Sequence, residues 1–372
     1  MSRQFLPLLV FACMLRCGYA TELDDVIQSL QESESLYRNL DVRWKESFVL
    51  LSRRSEENLI LDEAFSGRSV RQGDKLFLEV EGDKEVVGGN EGQPIRIYRR
   101  LGYDGEMTRS LDDLGSYVGN VKDKSVYDER MLDPHLLPFR HAGERVPLSA
   151  WLRGKEAVLG HPLGLVSDFD GGRELQIEFA GDEAFAGAPC CRVVLKGLRP
   201  KNGTLRVTGR REFWLDREKN YLPVRCVSYH DFYSPSIPIE ECSLSDLREI
   251  KPGVWFPFSC KLIVYDEVEL LDHKRQEVLS EREIVVEEVS IEPQHDVSFF
   301  RDVTFPDGAA VYTVVGGEIV SGRIEGRADR ADRRFSGPRQ SSFVGIIVGV
   351  NLAVLVAALA LWWVRRTKPS KN

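Results

Sequence analysis

The side chains best suited to metal binding or nucleophilic chemistry are six histidines (His135, His141, His161, His230, His273 and His295) and five cysteines beyond the N-terminal apolar run (Cys190, Cys191, Cys226, Cys242 and Cys260). Their spacing assembles no known site. The chain has no C-x-x-C pair, no H-E-x-x-H, no G-x-S-x-G, no phosphate-cradling Walker loop and no G-x-G-x-x-G. His135 and His141 lie close together, but among prolines that fix no ligand geometry. Asp168, Asp170, Gly171 and Gly172 resemble the opening of a calcium loop without its twelfth-position glutamate, and read as a glycine turn. Arg206, Arg210 and Arg211 fall on one long strand and read as its solvent-facing side. The expectation is a protein that is not an enzyme and needs no cofactor or metal.

The cysteines form two bridges at most and leave one thiol over. Burial as small apolar side chains and pairing in an oxidising compartment both stay open. Adjacent Cys190 and Cys191 point to opposite faces of a strand and should not pair with each other. Any bridge should join neighbouring strands among Cys226, Cys242 and Cys260. Cys226 and Cys260 fall on the apolar phase and should be buried.

The ends of the chain say where it acts. Arg3, an apolar run from Phe5 to Leu15 and the small residues Gly18 and Ala20 have the layout of a signal peptide over residues 1–20. Phe343 to Val364 holds no charged residue, long enough to cross a bilayer as a helix, with Trp362 and Trp363 at one end. Arg365, Arg366, Lys368 and Lys371 follow, in a cytoplasmic tail over 365–372. Six arginines between Arg323 and Arg339 precede the span and favour the opposite orientation, but a long exported domain translocates largely regardless of its charge. Residues 317–342 read as a flexible linker. The expected location is therefore the cytoplasmic (inner) membrane, single-pass, with the bulk of the chain on the periplasmic side. Between the two ends lie all 58 acidic residues against 44 basic ones, a net charge near −14. That balance excludes binding to nucleic acid through phosphate neutralisation.

The elements between are one helix and many strands. Leu23, Val26, Ile27, Leu30, Tyr37 and Leu40 form an apolar stripe on a helix from about Glu22 to Asn39. Alternation then marks strands around Trp44–Leu50, Leu76–Val80, Ile95–Tyr98, Leu175–Phe179, Cys191–Leu195 and Leu205–Leu215. Further strands are expected at Leu222–Tyr229, Ile239–Leu247, Val254–Asp266 and Glu281–Ile291. Tight turns are expected at Asp104-Gly105 and Asn202-Gly203. Met131–Gly154 is apolar but broken by Pro134, Pro138 and Pro147, and reads as a loop leading into a short helix at Pro147–Arg153 that covers a sheet face. The fold class expected is mainly β with helices (α+β): a curved antiparallel half-barrel sheet covered by helices, plus one C-terminal transmembrane helix.

Several segments resemble one family. The opening helix runs into Asn39-Leu40-Asp41-Val42-Arg43-Trp44; Tyr103-Asp104-Gly105-Glu106 makes a turn; Phe213-Trp214-Leu215-Asp216 continues to Tyr221-Leu222-Pro223-Val224. Gly253-Val254-Trp255-Phe256-Pro257 and the closing Phe305-Pro306-Asp307-Gly308-Ala309-Ala310-Val311-Tyr312 complete the set. In this order they resemble the LolA/RseB-like superfamily, in a membrane-anchored form, over residues 21–316. The resemblance implies a half-open barrel closed by helices around an apolar cavity, and a lipid or a lipoprotein acyl chain as partner. The membrane anchor departs from a freely shuttling carrier, and no functional residue of the family maps onto a motif here.

The strands themselves also call for something over their apolar face: an apolar cavity that holds a ligand, or a closed core filled by the chain's own Met131–Gly154 segment. Phe179, Leu195, Phe213, Phe256, Phe258 and Leu262 are more large side chains than one helix can cover. With Leu137 of the cover, they are the candidate ligand-binding residues. The alternative function is a sensory or interaction module acting through a membrane-protein partner.

Overall fold

The computed structural model describes residues 22–52, 59–84, 95–112, 115–119, 132–137, 147–153, 174–201, 204–315 and 318–325. The expected signal peptide and transmembrane span lie outside the described residues. So do Asp168, Asp170 and His141. Among the described residues no helix is long and apolar enough to cross a membrane.

A helix, α1, occupies residues 22–35. It ends short of Asn39 because Leu36 and Tyr37 donate to the carbonyls of Ser33 and Glu34, three residues back, which tightens the last turn. A first run of strands follows: β1 (Leu40–Ser52), β2 (Leu59–Gln72), β3 (Lys75–Lys84), β4 (Ile95–Tyr103), β5 (Thr108–Asp112) and β6 (Gly115–Gly119). After the short helix α2 (Leu148–Trp151) comes a second run: β7 (Glu174–Phe185), β8 (Ala188–Lys201), β9 (Thr204–Asp216), β10 (Leu222–His230), β11 (Glu240–Lys251), β12 (Val254–Tyr265) and β13 (Val278–Ser290). Helix α3 (Glu267–His273) interrupts it. Helix α4 (Val297–Arg301) and a last hairpin, β14 (Ala310–Val315) and β15 (Glu318–Ile324), close the described chain.

All fifteen strands share one curved sheet in the order β15-β14-β6-β5-β4-β3-β2-β1-β13-β12-β11-β10-β9-β8-β7. Two meanders are thus welded along a single seam, β1 against β13, in an antiparallel register from Asp41↔Ser290 to Leu50↔Ser280. The all-antiparallel expectation needs one correction: β14 lies parallel to β6, from Val311↔Ser116 to Val314↔Gly119. Strand β15 also falls inside the stretch read as linker, so ordered structure continues past residue 317.

One face of the sheet carries the main core. There Val26, Ile27 and Leu30 of α1 meet Val42, Trp44, Leu78, Val80 and Leu101 of the first run and Val193, Phe213, Phe256 and Ile284 of the second. Bulky residues on this concave face sit opposite glycines. Trp44 pairs with Gly67 and Phe65 with Gly82, and a side chain at either glycine would occupy the space of its aromatic neighbour. The opposite, convex face has small cores of its own. Phe300 of α4 packs on Val70 and Phe77, and Val311 packs on Val303 and Phe305. The expected Asp-Gly turn joins β4 to β5 with Gly105 at φ +99°. Asp104 accepts bonds there from the amides of Glu106 (2.9 Å) and Met107 (2.8 Å) and from Arg301 Nε of α4 (2.7 Å).

Candidate functional site

Strand alternation brings the candidate residues to the concave face. Cross-strand pairing lines up Phe179, Val193, Phe213, Cys226, Cys242 and Leu262 as one apolar row across β7, β8, β9, β10, β11 and β12. Leu195 stands two residues along β8 from Val193, and Phe256 and Phe258 lie on β12. Leu195, Phe213, Phe256, Phe258 and Leu262 are buried in the main core, and Phe179, nearer the β7 edge, packs against it half-buried.

Over this floor lies the cover. Leu132 and Leu137 belong to a tight turn, and Leu148, Trp151 and Leu152 to α2 and its end; all five are buried in the same core. The helix expected at Pro147–Arg153 is present, with Pro147 as the residue before its first turn. An aromatic chain links cover to floor. The His135 ring stands edge-on to Tyr37 with centroids 5.5 Å apart, Tyr37 meets Phe256 at 6.1 Å, and Phe256 meets Phe258 at 6.3 Å.

Polar bonds fasten the cover at its margins. Glu34 of α1 accepts from the Ser149 amide (3.0 Å) and hydroxyl (2.5 Å) at the start of α2. Arg153 donates to Gln31 (2.7 Å), and Arg71 pairs with Asp133 at 3.1 Å. Buried His135 donates through Nε2 to the carbonyl of Asn220 at 2.9 Å, which places its proton on that nitrogen. Asn220, in the left-handed region at φ +55°, also accepts from the Trp255 amide (2.6 Å) and from the Tyr37 hydroxyl (3.2 Å). The Tyr37 hydroxyl shares its one proton between Asn220 and the Trp255 carbonyl. Burial raises the Tyr37 phenol above its ordinary pKa, with the Asp133 charge adding to it. Burial also pushes the Glu34 carboxyl up, against the opposing bonds from Ser149. These groups serve as hydrogen-bonding anchors.

A cleft of about 870 Å³ opens between α1 and the cover, lined by residues that include Arg38, Asn39, Arg71, Asp133 and Leu136. A second, of about 630 Å³, lies by Lys45, Glu46, Phe65 and Glu283. None of the seven candidate residues lines either cleft; floor and cover meet side chain to side chain.

The arginine reading from sequence is corrected here. Arg206 is exposed, but Arg211 is fully buried on the concave face. It donates to the Ser228 hydroxyl (2.7 Å) and to Glu240 (3.1 Å), in a row of cross-strand neighbours directly beside the apolar one. The signal was present in the alternation: Arg211 shares the phase of Phe213 and Leu215, and Glu240 that of Cys242 and Leu244.

All five cysteines are free thiols and buried. Cys226 and Cys260 are 1% and 2% exposed, as their phase required. Cys191 joins the main core and Cys190 a cluster on the other face. Cys242 Sγ lies 3.6 Å from Cys260 Sγ. Burial holds Cys191 and Cys226 up at about 12 and Cys190 at about 11, so these thiols are poor nucleophiles. Among the described residues no group of three His, Cys, Asp or Glu side chains is arranged to hold a metal.

No family model matches the chain, and no curated protein does. Among solved structures the chain is similar to a DUF1329 family protein from Desulfovibrio piger, at 11% identity and a TM-score of 0.38 over 75% of this chain and 96% of that one. It is also similar to a porin-like protein from Bacteroides uniformis, at 7% identity and a TM-score of 0.25 over 65% and 96% of the two chains. A third similar structure is a putative outer membrane lipoprotein-sorting protein domain from Vibrio parahaemolyticus, at 10% identity and a TM-score of 0.35 over 75% of this chain and 97% of that one.

Proposed function

We propose that this chain is a non-catalytic envelope protein, anchored in the cytoplasmic membrane by residues 343–364, that binds a lipid or a lipoprotein acyl chain between the sheet and its cover. One observation carries the reading. The broad apolar face of β7–β12 is roofed by α1 and two short cover pieces (residues 132–137 and 147–153), where a second sheet could have closed it for good. The cover buries apolar side chains but is fastened by a few hydrogen bonds and ion pairs at its rim. A roof of that kind can lift and let an acyl chain take the places of Leu137 and Trp151 over Phe213 and Phe256, since both occupants are apolar. In the closed state the chain's own cover fills the site.

A photoactivatable fatty acid tests this on the full-length chain in native membranes. Cross-links mapped by mass spectrometry are expected on the floor strands and on the cover around Leu137, and Leu137→Glu should reduce them severalfold while circular dichroism stays unchanged. Phe256→Asp should abolish those on β12. Cross-links confined to residues 343–364 would remove the carrier reading.

A further inference from the structure

The β14–β15 hairpin carries a surface that the floor and cover do not use. Thirteen large apolar side chains are exposed among the described residues, and five of them sit on this hairpin: Tyr312, Val315, Ile319, Val320 and Ile324. Exposure is greatest toward the reversal, at 53% for Val315, 64% for Ile319 and 57% for Val320. The register explains it. Thr313 pairs with Ser321 and Val314 with Ile319, so Val320 is an extra residue bulged out of the ladder. The base of the hairpin is fixed, because Val311 is buried against Val303 and Phe305. A rigid base thus presents an apolar tip.

We propose that this tip, Val315, Ile319 and Val320, sits in the interface of an anionic bilayer beside the chain's own anchor. The inference rests on the anchoring half of the proposed function and goes beyond it. Two features of the chain select the bilayer as occupant. The first is reach. The hairpin ends at Glu325 and the apolar run begins at Phe343, so seventeen residues connect them. A connection of seventeen residues reaches at most about 60 Å even when fully extended, which keeps the tip within reach of the headgroups. The second is charge. Those seventeen residues hold Arg327, Arg330, Arg333, Arg334 and Arg339 against Asp329 and Asp332, in a chain that is otherwise acidic. A basic tether draws this end of the domain toward anionic lipid and leaves the acidic remainder pointing away. Apolar side chains plus neighbouring bases are what interfacial insertion requires. A second copy of the chain fits the tip less well. Copies would pair along the open edge of β15, and that edge carries the Arg323–Glu325 ion pair, which hinders strand addition.

The test uses the full chain in nanodiscs of phosphatidylethanolamine and phosphatidylglycerol, with an environment-sensitive fluorophore on Ile319→Cys, Leu205→Cys or Ala353→Cys. The five described native cysteines are buried. Lipid carrying a shallow nitroxide should quench the Ile319→Cys probe about twofold, and the exposed but distant Leu205→Cys probe should be unaffected. Exchange of phosphatidylglycerol for phosphatidylcholine, or Val315→Ser with Val320→Ser, should weaken the quenching. A deep nitroxide should quench Ala353→Cys in every case. If Ala353→Cys is quenched and Ile319→Cys behaves like Leu205→Cys, the hairpin proposal fails and the anchor stands. If Ala353→Cys is not quenched, the anchor fails and the proposal with it. If the Ile319→Cys signal ignores nitroxide lipid but changes between one and two copies per disc, the occupant is a second copy and the proposal is overturned.

Discussion

At the β7–β12 end of the sheet, the concave face is thick with large side chains, and the protein roofs them with its own helix and cover. At the β14–β15 end five apolar side chains, mostly Val and Ile, are exposed, and the described chain supplies nothing to lie over them. Phe213 and Phe256 are fully buried, whereas Ile319 is mostly exposed. The two ends therefore depend on different surroundings. The first carries the stability of the domain, and the second contributes little to stability and is free to meet something outside the chain. Substitutions should separate these roles by the size of their effect on unfolding, measured on the full chain in mild detergent.

Arg211→Ala should cost most. It removes the guanidinium that pairs with the Glu240 carboxylate, itself 8% exposed, beside an apolar row. A loss of about 3–5 kcal/mol in chemical unfolding is expected. Arg211→Met combined with Glu240→Leu should recover most of it, because no uncompensated charge remains. A loss below about 1 kcal/mol for the single change would mean that the roofed end does not depend on this pair.

Leu137→Ala comes next. It hollows the cover without touching the floor, and about 2–3 kcal/mol is expected, the lower part of the range for buried leucine because a short segment can resettle. An unchanged unfolding midpoint would show that the cover contributes little in the closed state.

Acid should act at the junction of β4, β5 and α4. Burial pushes Asp104 up, but bonds from the amides of Met107 and Glu106 and from Arg301 outweigh it and hold the carboxyl at about 2, against an ordinary value of 3.8. The group titrates lower in the folded chain than in the unfolded one. Its contribution is therefore complete above about pH 4 and disappears as pH falls through 2. At neutral pH it amounts to at most about 2 kcal/mol, since Arg301 is half exposed and partly screened. Asp104→Asn should lose that amount at pH 7, and the gap from the parent protein should close at pH 2. A gap independent of pH would assign the effect to the turn's geometry.

Val320→Asp should change unfolding by no more than about 0.5 kcal/mol, because the side chain is already in solvent. A larger loss would bring the two ends closer together than the burial pattern allows.

Local patterns in the sequence reached a long way into this fold. The apolar stripe of α1, the turn at Asp104-Gly105, the strands of the second run and the proline-opened cover helix are all set by neighbours a few residues apart, while the turn expected at Asn202-Gly203 lies outside the described residues. The six candidate side chains on strands were placed by period-two alternation, which is also local, and Leu137 by the apolar, proline-broken character of its segment. Two features were not legible, and a third was misread. Strand β2 has Gly67 and Ser69 where an apolar phase would be expected, because Trp44 fills that space from the next strand. The parallel pairing of β14 with β6 joins segments far apart in sequence, and no local pattern encodes it. Arg211 was read by its charge, when its phase with Phe213 already placed it inside.

The seam between β1 and β13 also bears on how the chain comes to be folded. Residues 40–52 find their second neighbour only when residues 278–290 arrive, so a nascent chain emerging from its N-terminus carries β1 with one edge open for most of its length. The second meander waits in the same way, with β12 unpaired on the side that β13 will take. Closure over such a sequence separation is slow, on the milliseconds-to-seconds scale or longer. Until then two strand edges are available to any other chain nearby. A truncation before Val278 should leave two half-sheets prone to aggregation, and full-length chains are expected to depend on a holding chaperone between synthesis and the moment the seam closes.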